Sequence, residues 1–300
     1  MIMNNGWPKA MPNVQDQAAG IRKMSQTKPV RVIAVTSGKG GVGKTNLAVN
    51  LGVTLARMRR QVALLDADMG LANVDILLGL SPEYNLSHVL RGEKTLSEIM
   101  LTGPAGLKII PASSGIQHMS ELSTVEQAGV IRAFSEIDKD LDVLIVDTAA
   151  GISASVVNFA RACQEIIVVV CDEPTSLTDA YAYIKLLNRD YALSKFHIVT
   201  NMVQSAQQGR NLFAKLCKVT DRYLDVNLQF AGSIPMDESL RKAVQKQTPV
   251  VELFPQSQVT MAFKQLAKTI NNWPIKSRAG GYLEFFVERM IQYSSEEDVA

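Results

Sequence analysis

The 300-residue chain is poor in the residues that usually announce metal or redox chemistry: it has three cysteines and three histidines, and aromatic residues make up only 6% of it. Cys163, Cys171 and Cys217 lie far apart and no C-x-x-C occurs. That argues against a zinc site, a redox pair or a cluster ligand set, and leaves buried thiols in a reducing compartment. An excess of one charge is also missing. Lys+Arg number 31 against 29 Asp+Glu, a net +2, so no global field draws the chain to nucleic acid or anionic lipid and any such contact needs a local patch. Long hydrophobic runs are absent; the longest, Ile166–Cys171, falls far short of the ~20 residues that cross a bilayer. Met1–Asn13 carries two prolines and three asparagines and lacks the apolar centre of a signal peptide. These absences predict a cytoplasmic protein.

With 47% apolar residues the chain can bury one substantial core. Apolar β-type runs recur at Val30–Thr36, Gln61–Asp66, Leu107–Pro111, Asp142–Asp147, Glu165–Cys171, Phe196–Asn201 and Gln229–Ile234, with helical patterns between them. Most are continuous rather than alternating, as for strands covered on both faces. The succession predicts one doubly wound α/β domain over residues 29–272, with a mainly parallel sheet, helices on both faces and ligands at the C-terminal ends of the strands. Residues 1–28, with Pro8 and Pro12, read as a loose N-terminal extension holding a short helix-prone piece. Residues 273–300 read as a linker beginning at Trp273-Pro274, followed by a helix.

The first run leads into Ser37-Gly38-Lys39-Gly40-Gly41-Val42-Gly43-Lys44-Thr45, and a helical pattern follows from Asn46. Gly38–Thr45 satisfies G-x-x-x-x-G-K-[ST] in the strand–loop–helix setting that motif requires. Its glycines let backbone N–H groups close around phosphate oxygens, backed by the positive end of the helix dipole. Lys44 is placed to reach the β- and γ-phosphates, and the Thr45 hydroxyl to ligate Mg²⁺. Lys39 is the unusual residue. It sits where the chain is already turning into the cradle, so its ammonium projects past the nucleotide. One physical use is to neutralise charge on a second subunit's nucleotide, as an arginine finger does in trans; a solvated surface lysine is the alternative.

Asp147 closes the strand Leu141–Val146 and stands at the position of an acid that holds Mg²⁺, with Thr148–Gly151 as a switch loop whose Gly151 N–H can approach the γ-phosphate. Asp66 and Asp68, two apart on an extended segment, point to the same side. One can support the Mg²⁺ shell while the other orients the attacking water; a helix-capping role is the alternative.

K-G-G-x-G-K-[ST] resembles the deviant phosphate loop of the MinD/ParA family of dimerising ATPases, and the resemblance extends over about residues 31–272. It implies an ATP hydrolase with slow regulatory turnover that binds ATP and Mg²⁺ and dimerises on ATP, with Lys39, Lys44 and Asp68 carrying the reaction and Asp68 positioning the water. It also implies that Asn201 contacts the adenine edge and that Pro235-Met236-Asp237 is a second base-contacting loop. Thr200-Asn201-Met202-Val203 is not the Asn-Lys-x-Asp of a guanine reader. The nucleotide set is then Gly38, Lys39, Gly40, Gly41, Val42, Gly43, Lys44, Thr45, Asn46, Asp66, Gly151, Asn201, Pro235 and Asp237, with Thr45, Asp66 and Asp147 around the metal.

Asp16-Gln17-Ala18-Ala19-Gly20-Ile21-Arg22 resembles the D-Q-A-x-x-L-R motif of the FlhG/FleN flagellar-number regulators. So do Leu71–Asp75, Cys171–Ser176 and Gly209–Phe213. This resemblance implies an antiactivator that acts on a flagellar master transcription activator and, through Asp16–Arg22, on the GTPase FlhF. A ParA-like DNA-segregation or MinD-like division-site ATPase is the rival reading. Lys215, Lys218 and Arg222, with Arg241, Lys242 and Lys246, form basic clusters, but Asp221, Asp225 and Glu238 interleave, so direct DNA binding is not expected. Within Tyr282–Tyr293, Leu283, Phe286, Val287, Met290 and Ile291 follow i, i+3, i+4, i+7, i+8. The helix resembles the membrane-targeting helix of MinD-like proteins, which would bring the chain to the inner membrane face or cell pole. Its acidic flanks give anionic lipid little help, and fixed packing, regulated release and a protein-binding role all stay open.

Overall fold

The computed structural model describes residues 29–68, 73–112, 123–138, 140–274 and 283–296. Eight strands form one sheet in the order β3-β4-β2-β5-β1-β6-β7-β8. They are β1 (Arg31–Ser37), β2 (Val62–Ala67), β3 (Leu101–Thr102), β4 (Lys108–Pro111), β5 (Val143–Ala150), β6 (Glu165–Cys171), β7 (Lys195–Val203) and β8 (Asn227–Pro235). Every pairing is parallel except β3 with β4. The doubly wound α/β architecture expected from the sequence is the one observed, and the short antiparallel edge strand β3 is its addition.

Strand β1 shows why the runs are continuous. Ile33 and Val35 enter one hydrophobic cluster while Val32 and Ala34 enter another across the sheet, because successive side chains point to opposite faces. The first face is covered by α1 (Lys44–Arg57), α2 (Val74–Leu78), α10 (Val250–Leu253) and α11 (Gln258–Asn271). Also on the sheet lie α3 (Leu86–Leu90), α4 (Leu96–Ile99), α5 (Thr124–Asp138), α6 (Ala154–Ala162), α7 (Pro174–Tyr191), α8 (Ala206–Tyr223) and α9 (Glu238–Gln245).

The last helix, α12 (Leu283–Glu296), joins the second cluster. Leu283, Phe286, Val287, Met290 and Ile291 are all buried in it, where α12 packs on α5 and α6. The Arg161 guanidinium of α6 lies 3.7 Å from the Tyr293 ring and 4.1 Å from the Tyr191 ring, so one cation joins α12 to the end of α7. Trp273, read from sequence as the start of a linker, is held fast. Its ring stacks on His197 at 3.7 Å, and its carbonyl accepts from the Arg31 guanidinium, which also reaches the Ile270 carbonyl. Among the described residues no helix is long and apolar enough to cross a membrane. The Asp16–Arg22 motif lies outside the described residues, as do Met69–Ala72 of the Asp66–Asn73 segment.

Candidate active site

The central position of β1 places residues 38–43 at the C-terminal edge of the sheet, between β5 and β6. Register between β1 and β5 shifts after Val35, where the chain leaves the ladder. Gly41 and Gly43 then take φ of +77° and +89°. At Gly43 an added Cβ would overlap the Asn201 amide, so both backbone and space require glycine. Helix α1 begins at Lys44 and points its N-terminus into an open cleft of about 690 Å³, within the size range of nucleotide-sized pockets. Gly40, Gly41, Gly43, Lys44, Thr45, Asn46 and Asp68 all line it. Gly38 lies against Asp179 of α7. The Val42 side chain is buried and its carbonyl turns to Asn201.

Behind Lys44 the two strand-end acids meet. Asp66 and Asp147 are register partners on the parallel pair β2 and β5, and both are buried. Burial pushes the Asp147 carboxyl up to about 7, and neither oxygen finds a hydrogen-bond partner among the described residues. Burial likewise raises Asp66 to about 6, opposed by the Val74 and Asp68 N–H groups that it accepts at 3.4 Å. Desolvation lowers the pKa of the buried Lys44 ammonium, while Asp147 and Asp68 counter it. Two paired acids, one with both oxygens unsatisfied beside a threonine hydroxyl, fit a hard dication bound by oxygen. Thr45, Asp147 and Asp66 are the residues that would hold it.

Four expected ligands have other partners in this structure. The Lys39 ammonium, at the surface, binds Glu173 Oε2 at 2.6 Å and Thr175 Oγ1 at 2.8 Å. The Gly151 N–H donates to the Ser37 carbonyl at 3.0 Å, which ties the switch loop to the base of the phosphate loop. Asn201 donates to the Val42 carbonyl at 2.7 Å and accepts from the Met202 N–H at 2.9 Å. As placed, its amide braces the phosphate loop instead of offering a free edge to a base. The Asp237 carboxylate caps α9 through the Ser239 N–H at 2.7 Å and accepts the Val259 N–H at 3.2 Å; Pro235, just before it, ends β8.

The cleft also contains residues that sequence reasoning did not assign: Asn73, Ile76, Leu77, Met202, Val244, Gln245 and Gln247. Asn73 and Met202 fall inside stretches already singled out. Met202 and Gln247 are non-glycine residues with positive φ, +57° and +48°, a conformation that costs energy and concentrates at functional sites. The Gln247 amide donates to the Ile76 carbonyl at 2.8 Å, joining the loop after α9 to the helix that follows Asp68.

With its phosphate-cradling loop at a helix N-terminus, the buried Lys44 beneath the cradle and a buried acid pair behind it, the cleft is that of a P-loop nucleotide hydrolase. The family model ParA, described as NUBPL iron-transfer P-loop NTPase, matches residues 28–271. The chain is 58% identical over 273 residues to antiactivator FleN of Pseudomonas aeruginosa, covering 91% of this chain and 98% of that one. It is 32% identical to flagellum site-determining protein YlxH of Helicobacter pylori, covering 88% and 90%. Among solved structures, MinD in the MinC:MinD cell division complex of Aquifex aeolicus superposes with a TM-score of 0.67 at 26% identity, over 83% of this chain and 99% of that chain. The chain belongs to the ParA family of P-loop NTPases, and it is an ATPase of the MinD/ParA kind. The spacing of its cysteines gives iron transfer no evident ligand set.

Proposed function

We propose that the chain is an ATP-driven dimerising switch that sets flagellar number and placement. The observation that carries this is the character of the cleft mouth. Ile76, Met202 and Val244 line it with exposed apolar surface, and Ile152 and Met236 stand exposed on the loops after β5 and β8. Such a rim around a phosphate site is suited to being covered, and a second copy of the same face covers it symmetrically. The names of two relatives, an antiactivator and a flagellum site-determining protein, support the cellular role.

The residues divide the work. Loop N–H groups and Lys44 hold the β- and γ-phosphates, and Lys39 leaves Glu173 for the partner's phosphates. Asp68 orients the attacking water, and Gly151 exchanges the Ser37 carbonyl for the γ-phosphate. Mg²⁺, held by Thr45, Asp147 and Asp66, neutralises charge on the phosphates when bound. Phosphoryl transfer needs little beyond such positioning. Hydrolysis returns the monomer, so the product is a conformation.

The ATP state meets a flagellar master transcription activator, and Asp16–Arg22 meets an FlhF-type GTPase. Helix α12 packs on α6, which directly follows the switch loop, so nucleotide-dependent movement of α6 is suited to free the apolar face of α12 for the inner membrane surface. The protein thus works in the cytoplasm and at its membrane boundary. The basic clusters are partly neutralised, Lys215 by Asp172 at 3.7 Å and Arg241 and Lys242 by Glu238 at 3.6 and 3.7 Å, which disfavours DNA as the cargo. Light scattering tests the scheme. Asp68→Ala should bind ATP and accumulate as dimer, and Lys44→Ala should stay monomeric; equal dimerisation of both would end it.

A further inference from the structure

A second concavity, sharing no lining residue with the nucleotide cleft, lies among the last turns of α1, helix α10 and the middle of α11. Its volume is about 480 Å³, room for two or three side chains. Met58 and Met261 contribute thioether surface together with Val251, and Met261 is 49% exposed. Arg57, Lys264 and Lys268 stand around this floor. Met261, Lys264 and Lys268 fall at i, i+3 and i+7, so they form one stripe along α11.

The charge is unbalanced. Glu252 neutralises Arg57 at 2.9 Å, while Lys264 donates to the Pro255 carbonyl at 3.1 Å. Among the described residues no carboxylate pairs with Lys264 or Lys268. A flexible methionine floor inside a cationic rim suits an amphipathic helix, whose apolar residues fill the floor and whose acids meet the lysines. Nucleic acid would use the rim and leave the half-exposed Met261 thioether uncovered. The chain's own N-terminal extension has the wrong sign, with Lys9, Arg22, Lys23 and Lys28 against Asp16.

We propose that the groove between α1 and α11 docks an acidic amphipathic helix of a partner protein, seated on Met58 and Met261 and steered by Lys264 and Lys268. Because the groove shares no lining residue with the nucleotide cleft, its test is separate from that of the ATP switch.

The test uses the full chain and a labelled model helix with leucines at i, i+3, i+4, i+7 and glutamates elsewhere, against a lysine-for-glutamate control peptide. Fluorescence anisotropy should show saturable binding of the acidic helix alone. Affinity should fall about ten-fold in the double variant Lys264→Glu/Lys268→Glu, with salt weakening wild type more than the variant. Methyl NMR should move the Met58 and Met261 signals on titration and leave distant methionines in place, which a folding defect would not reproduce. Equal binding of both peptides, an unchanged affinity in the double variant, or stationary Met58 and Met261 signals would overturn the proposal. So would a response of those two methyls to duplex DNA or to self-association instead of the acidic helix.

Discussion

Lys39 and Glu173, 134 positions apart in sequence, form an ion pair of 2.6 Å within one chain. Hydrogen bonding to Glu173 raises the Lys39 pKa, and the ammonium is engaged within its own chain before any second subunit arrives. A lysine that serves a neighbour's phosphates must first surrender this partner and Thr175.

Weakening the pair should therefore favour assembly. Glu173→Gln is expected to dimerise with ATP at about two- to five-fold lower protein concentration, the small size reflecting an exposed pair. Thr175→Val should do the same more weakly. Sedimentation velocity reads both, and a dimer harder to form in Glu173→Gln would mean that the carboxylate belongs to the dimer face.

The acid pair makes the metal-free protein pH-sensitive. A carboxyl whose folded pKa lies above its unfolded value stabilises the fold fully below the unfolded pKa, and that contribution is lost as pH rises through the folded one. With Asp66 raised to about 6 and Asp147 to about 7, stability in EDTA should fall between about pH 4 and pH 7. Asp147→Asn should melt about 2–5 °C above wild type at pH 8, the gap narrowing steadily as pH falls toward about 4. Mg²⁺ should raise the wild-type melting temperature at pH 8 and leave the variant unmoved.

The Arg161 sandwich predicts where α12 loosens first. Arg161→Ala removes two ring contacts, about 1–2 kcal/mol of local stability. Amide hydrogen exchange in α12 should then accelerate while the β1, β5 and β6 amides keep their protection. Uniform acceleration throughout the chain would show that α12 is an integral part of the core.

Gly209 tests a motif that the nucleotide site does not use. A Cβ there would overlap Ser233 Oγ and crowd Thr200 Oγ1, whose hydroxyls bond each other at 2.8 Å. Gly209→Ala should cost about 2–4 kcal/mol by chemical denaturation, since α8 has to retreat from β7 and β8. Adding Ser233→Ala should recover part of the loss.

What was legible in the sequence was local or periodic. Val30–Thr36 and Glu165–Cys171 announce doubly covered strands because all their residues but Arg31 and Glu165 are apolar or small, and the loop from Gly38 to Thr45 is contiguous. Leu101–Thr102 carries no pattern, being two residues paired at an edge. The helical period of α12 showed which face is apolar, yet only the folded chain shows that α5 and α6 cover it. Gln247, Ile76 and Val244 reach the cleft through packing of α9 beside α2, and no spacing in the sequence could bring them together. Cys171–Ser176 was noticed as a motif, but its bond to Lys39 depends on β6 lying next to β1.

The position of β1 has a consequence for biosynthesis. The first strand among the described residues is flanked by β5 and β6, so the phosphate cradle cannot close around its final geometry until Cys171 has emerged. The Arg31 side chain waits longer still, for the carbonyls of Ile270 and Trp273. A nascent chain of this topology carries an apolar central strand without neighbours until β5 and β6 have been made, the situation in which slow, long-range pairing invites aggregation and chaperone capture.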